Sequence, residues 1–209
     1  VDRRALADVA GAGTVDVDDS FFPPTHWAHV AVAPLPFDPA GAERLLDEAG
    51  FKRPAPGAIR VDASGAPLRF ELAAASGQKE TERVLQAMQA MWAAVGVDVA
   101  LDLKPDVVFF GENAKKRKLK HLWFYAWTVD ESSMATNLWR GDRIPDAQNG
   151  FTGQNLAGWQ NDEVTRLLID VDDTLDEGAR KEKLATVQRR FRDELPALSF
   201  WFRRSAVVV

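Results

Sequence analysis

A strand–helix–strand pattern of apolar and polar residues occupies the middle of the chain. Residues 68–74 and 97–103 each alternate with the period of a half-buried strand. Between them, residues 79–95 place apolar side chains three and four positions apart, which predicts a helix with one buried face. Gly96 can end that helix in the left-handed conformation. The pattern predicts a βαβ unit with parallel strands and a right-handed crossover.

Three more helices and a further strand are indicated on either side of this unit. A helix over 38–49 has Asp38 as its N-cap and proline at its first position. Asn161 caps another helix, and a third covers roughly 176–194 before a proline stops it. Residues 197–202 are predicted to be a strand. The stretches 13–37 and 128–159 remain irregular, and loops of that length are often functional or disordered.

Composition excludes several classes of function. The net charge is −5, from 26 basic and 31 acidic residues, which argues against a nucleic-acid-binding domain. The 209 residues contain no cysteine, so disulfides, thiolate metal sites and cysteine nucleophiles are excluded. The sequence contains no run of about 18 apolar residues, so no membrane span is predicted. No nucleophile-elbow, phosphate-loop or dinucleotide-binding glycine motif is present.

Two local clusters of charged or metal-binding residue types favour a structural interpretation. His26 and His29 lie three residues apart, but no third ligand lies near them in the sequence, so we expect no metal site. The basic run 115–120 is expected to be a solvated helix face, and contact with an anionic partner is the alternative. Paired neighbours such as Asp130 and Glu131 lack the facing geometry that general acid–base catalysis needs.

The order of the motifs resembles the second lobe of the extracellular solute-binding proteins of family 5. That family includes the oligopeptide-, dipeptide- and nickel-binding proteins of ABC importers. The resemblance covers nearly the whole chain and is carried, in order, by VDRRALADVA, FDPAGAERLLDEAGF, LRFEL, MWAAVGVDVALDL, HLWFYAW followed by Thr128-Val129-Asp130, NLAGWQNDEVTRLL and DELPALSFWF.

The resemblance implies an α/β fold: a periplasmic-binding-protein-like lobe of type II, with a mixed sheet flanked by helices. It also implies a short hairpin turn over residues 62–67, before the strand LRFEL. Residues 1–209 would form a single lobe, with the first, N-terminal lobe of the same protein absent from this chain. The whole protein would capture a small solute, in the first place a peptide, between two lobes. It would deliver that solute to the membrane subunits of an ABC permease. We expect no cofactor, no metal, no catalytic residue and no nucleic-acid partner, and a periplasmic or extracellular location, lipid-anchored or free.

The candidate solute-binding residues are Trp127, Asp130, Glu131, Trp139 and Asn155, which lie where the resemblance places the cleft. Carboxylates at a cleft mouth could pair with the α-amine of a peptide. Tryptophan offers a large apolar face that also attracts cations, and an asparagine amide can bind a peptide backbone. The alternative is that the tryptophans are core and the carboxylates solvated loop residues, with Trp159 packed beneath the loop.

Two other functions stay open on the sequence alone. One is an unusual hydrolase that uses Asp130 or Glu131, for which a carboxylate of raised pKa in a closed pocket would be needed. The other is a regulatory or interaction module built on the same lobe. Absence of a first lobe from the same gene would favour this alternative.

Overall fold

A computed structural model describes residues 1–11, 15, 17–129 and 135–202. The chain divides into two compact units. We call them the sheet unit and the helical unit. The sheet unit comprises Val1–Gly13, Pro36–Phe110 and Leu119–Tyr125, and the helical unit comprises Thr14–Leu35, Gly111–Lys118 and Ala126–Val209.

Three parallel strands form the centre of the sheet unit. They are β1 (Arg69–Ala75), β2 (Asp98–Lys104) and β3 (Leu122–Phe124), in the order β2-β1-β3. The predicted βαβ unit and the α/β class are therefore confirmed. The three strands contain no antiparallel pair, and among the described residues such pairing occurs as isolated bridges from Val61 to Lys52 and Pro67. The Val61–Pro67 bridge closes the hairpin turn expected over 62–67.

Helices α1 (Arg3–Val9), α2 (Pro39–Glu48) and α3 (Lys79–Ala94) complete the sheet unit. The predicted caps are present, since the Asp38 carboxylate accepts a 2.8 Å hydrogen bond from the Gly41 amide. Helix α3 crosses between β1 and β2 and buries Val84, Leu85 and Met88. It ends as predicted, because Gly96 has φ +86°.

Buried Arg60 joins the parts of the sheet unit that follow α2 and α3. Its Nε donates to the carbonyl of Val95 at 2.9 Å. Its Nη1 donates to Asp47 Oδ1 at 2.7 Å and to the carbonyl of Phe51 at 2.8 Å. One guanidinium therefore satisfies backbone carbonyls at the ends of two helices, a role suited to its several fixed donors.

The helical unit contains α4 (Thr136–Trp139), α5 (Asp162–Asp173) and α6 (Glu177–Glu194). Asn161 and Asp176 cap α5 and α6, and left-handed Leu195 ends α6 before the proline. The strand expected over 197–202 is wrong, since residues 197–201 form no strand and Phe202 makes a single bridge. The Ser199 hydroxyl donates to the carbonyl of Ser20 at 2.9 Å, so a side-chain hydrogen bond joins this segment to the stretch before α2.

The proline-rich stretch before α2 supplies much of the core of the helical unit. Phe22 is fully buried, and His26 stacks on it with ring centroids 4.2 Å apart. Buried Gln188 on α6 donates to the carbonyl of Ala28 and accepts from the Ser20 hydroxyl. His29 pairs instead with Asp18, at 2.8 Å. The two histidines thus have separate structural partners, and the stretch is fixed by packing rather than by regular hydrogen bonding.

A π-helix over Val107–Ala114, which the sequence pattern did not predict, precedes the basic run. The prediction that the basic run forms a helix face is wrong. The π-helix ends at Ala114, before the run, and Arg117 has a left-handed backbone conformation with φ +49°. The charges are solvated as expected, since Lys116 and Lys118 reach Glu112 at 2.9 and 3.8 Å on the surface.

Candidate functional site

An apolar surface lies beyond the carboxyl end of β2 in the sheet unit. The carboxyl ends of parallel strands are where open α/β sheets bind ligands. Val107 is 83% exposed there, and Val108 and Phe110 are 43% and 46% exposed. Neighbouring Phe109 is fully buried and holds the Phe110 ring, with centroids 4.8 Å apart. We call Val107, Val108 and Phe110 the apolar edge.

Tyr125, directly after β3, extends the apolar edge. Its ring lies edge-on to Phe110, with centroids 6.4 Å apart. Burial raises the pKa of Tyr125, so its hydroxyl is neutral at physiological pH. Sequence reasoning missed the apolar edge because Val107–Phe110 is a continuous apolar run that fits neither periodic template. The run directly follows a predicted strand of a parallel sheet. Because such sheets bind ligands at the carboxyl ends of their strands, its position could have indicated the apolar edge.

Trp127, in the helical unit, is 43% exposed and so presents ring surface to solvent. The predicted Asp130 and Glu131 lie outside the described residues. The residues on either side of that segment are held: Val129 packs against the core of the helical unit, and Ala135 belongs to it. Ala135 has φ +52°, a conformation uncommon for residues other than glycine.

Trp139 packs inward, as part of an aromatic cluster. Its ring centroid lies 4.8 Å from that of Phe191, 5.7 Å from that of Phe21 and 6.2 Å from that of Trp159. The buried Nε1 of Trp139 has no hydrogen-bond partner among the residues described. Trp159 is buried in the same cluster, which confirms that it packs beneath the loop.

Asn155 is fully buried, and its amide binds the chain's own backbone. Nδ2 donates to the carbonyls of Arg140 and Trp159 at 3.0 and 2.8 Å. Oδ1 accepts from the amides of Gly158 and Trp159 at 3.0 and 3.1 Å. Both donor hydrogens and both acceptor lone pairs are therefore engaged. These bonds fix the loop between Arg140 and Trp159.

Charged side chains secure the two sides of this loop. Arg140 donates to Asp142 at 2.7 and 2.9 Å and to Asp172 on α5 at 3.0 Å. The hydrogen bond from Arg140 lowers the pKa of Asp142. On the other side, Arg117 Nε donates to the carbonyl of Leu156 at 3.2 Å. The loop is thus a fixed part of the helical unit.

Within the described part of the chain, no group of three or more His, Cys, Asp or Glu residues could hold a metal ion. In the same residues, no helix is both long and apolar enough to cross a membrane.

Comparison with known proteins gives consistent matches in sequence and fold. The nickel-binding periplasmic protein of Escherichia coli is 34% identical over 102 residues, 48% of this chain and 19% of that protein. The oligopeptide-binding protein of Thermus thermophilus, solved with a pentapeptide, is 25% identical with a TM-score of 0.88. NikA of Brucella suis, solved with Fe(III)-EDTA, is 22% identical with a TM-score of 0.77 and shows the same fold.

The match to the solved structures covers 96% of this chain but 36% of the Thermus protein and 39% of the Brucella protein. The chain therefore spans well under half the length of these relatives. The family described as bacterial extracellular solute-binding proteins, family 5 Middle, matches residues 1–148. Since that match covers more than half of the 209 residues, the chain belongs to the family 5 bacterial extracellular solute-binding proteins.

Proposed function

We propose that this chain is one lobe of a two-lobed solute-binding protein that captures a peptide and delivers it to an ABC permease. The observation that carries the proposal is the family match over residues 1–148, together with the fold shared with an oligopeptide-binding protein. In this proposal both units belong to a single lobe over 1–209. Closure of a second lobe over the solute would present the loaded form to the permease, as in other hinge motions.

The chemistry of each unit suits a peptide. The apolar edge offers exposed aliphatic and aromatic surface, which favours apolar side chains of a solute. In the helical unit, exposed Trp127 supplies a second aromatic surface. Asp130 and Glu131 would pair with an α-amine. Given their contacts, Asn155 and Trp139 would act by holding the loop and its core rather than by touching the solute.

Capture without chemical change distinguishes this function from that of a hydrolase. The relatives are binding proteins, and the proposed role needs no nucleophile, metal or cofactor. The proposed location is periplasmic or extracellular, as the names of the relatives suggest.

The test uses the full-length gene product that contains this chain. Mixed pentapeptides are titrated by calorimetry, and bound peptide is then released and identified by mass spectrometry. We expect peptide recovered intact, and weaker binding for Trp127→Ala and Phe110→Ala. Leu175→Ala is the matched control, because Leu175 is 97% exposed on the turn between α5 and α6. Absence of binding to every peptide would overturn the peptide proposal, and recovery of cleaved peptide would favour the hydrolase.

A second candidate solute is a nickel chelate, favoured by the 34% identity to the nickel-binding protein. The same protein is titrated with nickel alone and with nickel plus small amino-acid chelators. Binding of the chelated metal, without binding of peptides, would replace the peptide by the chelate and leave the transport function intact.

A further inference from the structure

The loop between Arg140 and Trp159 contains the one Asn-Gly dipeptide of the chain, Asn149–Gly150. Glycine lacks a side chain, so its backbone nitrogen can approach the amide carbon of a preceding asparagine without hindrance. Both residues are exposed, and Gly150 has φ +65° with nothing within 4 Å of the position a Cβ would take. Water and space for a ring are therefore available at this dipeptide.

We infer that Asn149 is a site of spontaneous deamidation that the folded loop holds unreactive, so that its modification reports opening of the loop. In the reaction, the backbone nitrogen of Gly150 loses its proton to solvent and bonds to Cγ of Asn149. The Cγ–Nδ2 bond breaks, and Nδ2 takes up a proton and leaves as ammonia. Water then opens the resulting succinimide at either carbonyl, which yields aspartate or isoaspartate.

Three hydrogen bonds hold the Asn149 amide away from this reaction. Nδ2 donates to the carbonyl of Ile144 at 2.8 Å. Oδ1 accepts from the amides of Asp146 and Thr152, both at 3.0 Å. Attack by Gly150 requires rotation of the amide towards the following nitrogen, which breaks these bonds. The reaction therefore proceeds from an open loop, and its rate follows the population of that open state.

Asp146 organises the same turn from its other side. Its Oδ1 accepts from the amides of Gln148 and Asn149 at 2.8 and 2.9 Å. Its carbonyl accepts from the amide of Phe151 at 2.7 Å. Removing the Asp146 carboxylate should loosen the turn without touching the reacting atoms.

The product no longer fits the closed loop. An aspartate at 149 lacks the donor that now binds the carbonyl of Ile144, and it brings a second carboxylate beside Asp146. Isoaspartate also adds one methylene to the backbone. Once formed, the modification should therefore keep the loop open. In the closed loop, the Asn155 amide donates to the carbonyl of Arg143, and Gly153 lies close to the same carbonyl.

The experiment follows deamidation of the purified full-length gene product at mildly alkaline pH by peptide mapping, both folded and in guanidinium chloride. We expect Asn149 to react in the unfolded chain and about tenfold to hundredfold more slowly in the folded one, the ratio that two or three broken hydrogen bonds would set. Asn155, which is followed by leucine, is the internal control and should stay intact in both states. Equal rates in the folded and unfolded protein, or no reaction in the unfolded protein, would overturn the inference.

Asp146→Ala separates loop opening from intrinsic reactivity. It should accelerate deamidation of the folded protein and leave the rate in guanidinium chloride unchanged, whereas Gly150→Ala should slow the unfolded rate. If Asp146→Ala does not fold, hydrogen exchange at the Thr152 amide provides the second measurement. That amide donates to Asn149 Oδ1, so its exchange and the deamidation should show the same protection. If the Thr152 amide exchanged freely while Asn149 stayed protected from deamidation, loop opening would not control the reaction. Solute binding does not enter either measurement.

Discussion

Trp159 donates its indole Nε1 proton to Oε2 of Glu194 at 2.8 Å, which links the loop before α5 to the last residue of α6. The other carboxylate oxygen of Glu194 accepts from the Asn161 side chain at 2.7 Å. Asn161 in turn caps α5. One carboxylate therefore fixes the start of α5 and the aromatic residue beneath the loop.

Trp159→Phe should lower the free energy of unfolding by about 1–3 kcal/mol, because it removes both core volume and the hydrogen bond to Glu194. The measurement is urea unfolding followed by far-UV circular dichroism, which does not depend on the lost fluorophore. Glu194→Gln keeps one acceptor oxygen and should cost less, about 0.5–1.5 kcal/mol. An unchanged midpoint for Trp159→Phe would show that the indole hydrogen bond does not contribute.

Asn155→Asp should destabilise the fold by about 2–4 kcal/mol, since it turns two donated hydrogen bonds into contacts between a carboxylate and carbonyls. Burial would raise the pKa of the new carboxyl above its unfolded value. The folded variant would then bind more protons than the unfolded one between the two pKa values. Its stability should therefore fall as pH rises from the unfolded pKa through the folded pKa.

Gln154→Glu is the matched control for this substitution, because it adds the same charge one residue earlier at an exposed position. It should change stability by less than about 0.5 kcal/mol. The check is urea unfolding of both variants at acidic and neutral pH. If Asn155→Asp were as stable as Gln154→Glu at neutral pH, Asn155 would not be the residue that holds the loop.

Two glycines of the same loop should respond differently to alanine. A Cβ at Gly153 would lie 2.1 Å from the carbonyl oxygen of Arg143, and its φ is +118°. The carbonyl belongs to the backbone and has little room to move, so Gly153→Ala should cost about 2–4 kcal/mol. Gly150→Ala meets no atom and should cost about 1 kcal/mol, from its left-handed conformation alone. Thermal unfolding measures both, and equal losses would contradict the close approach at Gly153.

Local periodicity was sufficient for the parts of the fold that form regular hydrogen bonds. The βαβ unit, the Asp38 cap and the two C-terminal helices were predicted close to their observed limits. Each has a capping residue and a buried face that a few adjacent residues reveal. The predicted strand over 197–202 is wrong because an alternation of apolar residues does not show what the segment contacts. The Ser199 hydroxyl binds the carbonyl of Ser20, which is far away in the sequence.

The candidate site was less predictable because it depends on which side chains turn inward. Nothing in the sequence near Asn155 indicates that its amide is consumed by the backbone of Arg140 and Trp159. Trp127 and Trp139 are the same residue type, yet Trp139 packs against the core of the helical unit and Trp127 is 43% exposed. Such differences arise from tertiary packing, which a single sequence does not encode locally.

Arg60 and Asp47 provide a test of acid stability in the sheet unit. Arg60→Ala should cost about 2–4 kcal/mol, because it removes a buried side chain that donates to the carbonyls of Val95 and Phe51. The hydrogen bond from Arg60 holds the pKa of Asp47 below its usual value of 3.8. This depressed pKa stabilises the fold above pH 3.8, and that contribution is lost as pH falls through the folded pKa.

Asp47→Asn should therefore lose less stability than the wild type between neutral pH and pH values below 3.8. Its remaining loss would come from other carboxylates of lowered pKa, such as Asp142 and Asp62. Urea midpoints measured across this range in wild type, Asp47→Asn and Arg60→Ala provide the comparison. Arg60→Ala should also reduce the acid dependence, because it removes the largest cause of the lowered pKa of Asp47, but by less than Asp47→Asn, because Lys52 still lowers that pKa. A wild-type slope retained in both variants would mean that the Arg60–Asp47 hydrogen bond is not formed in solution.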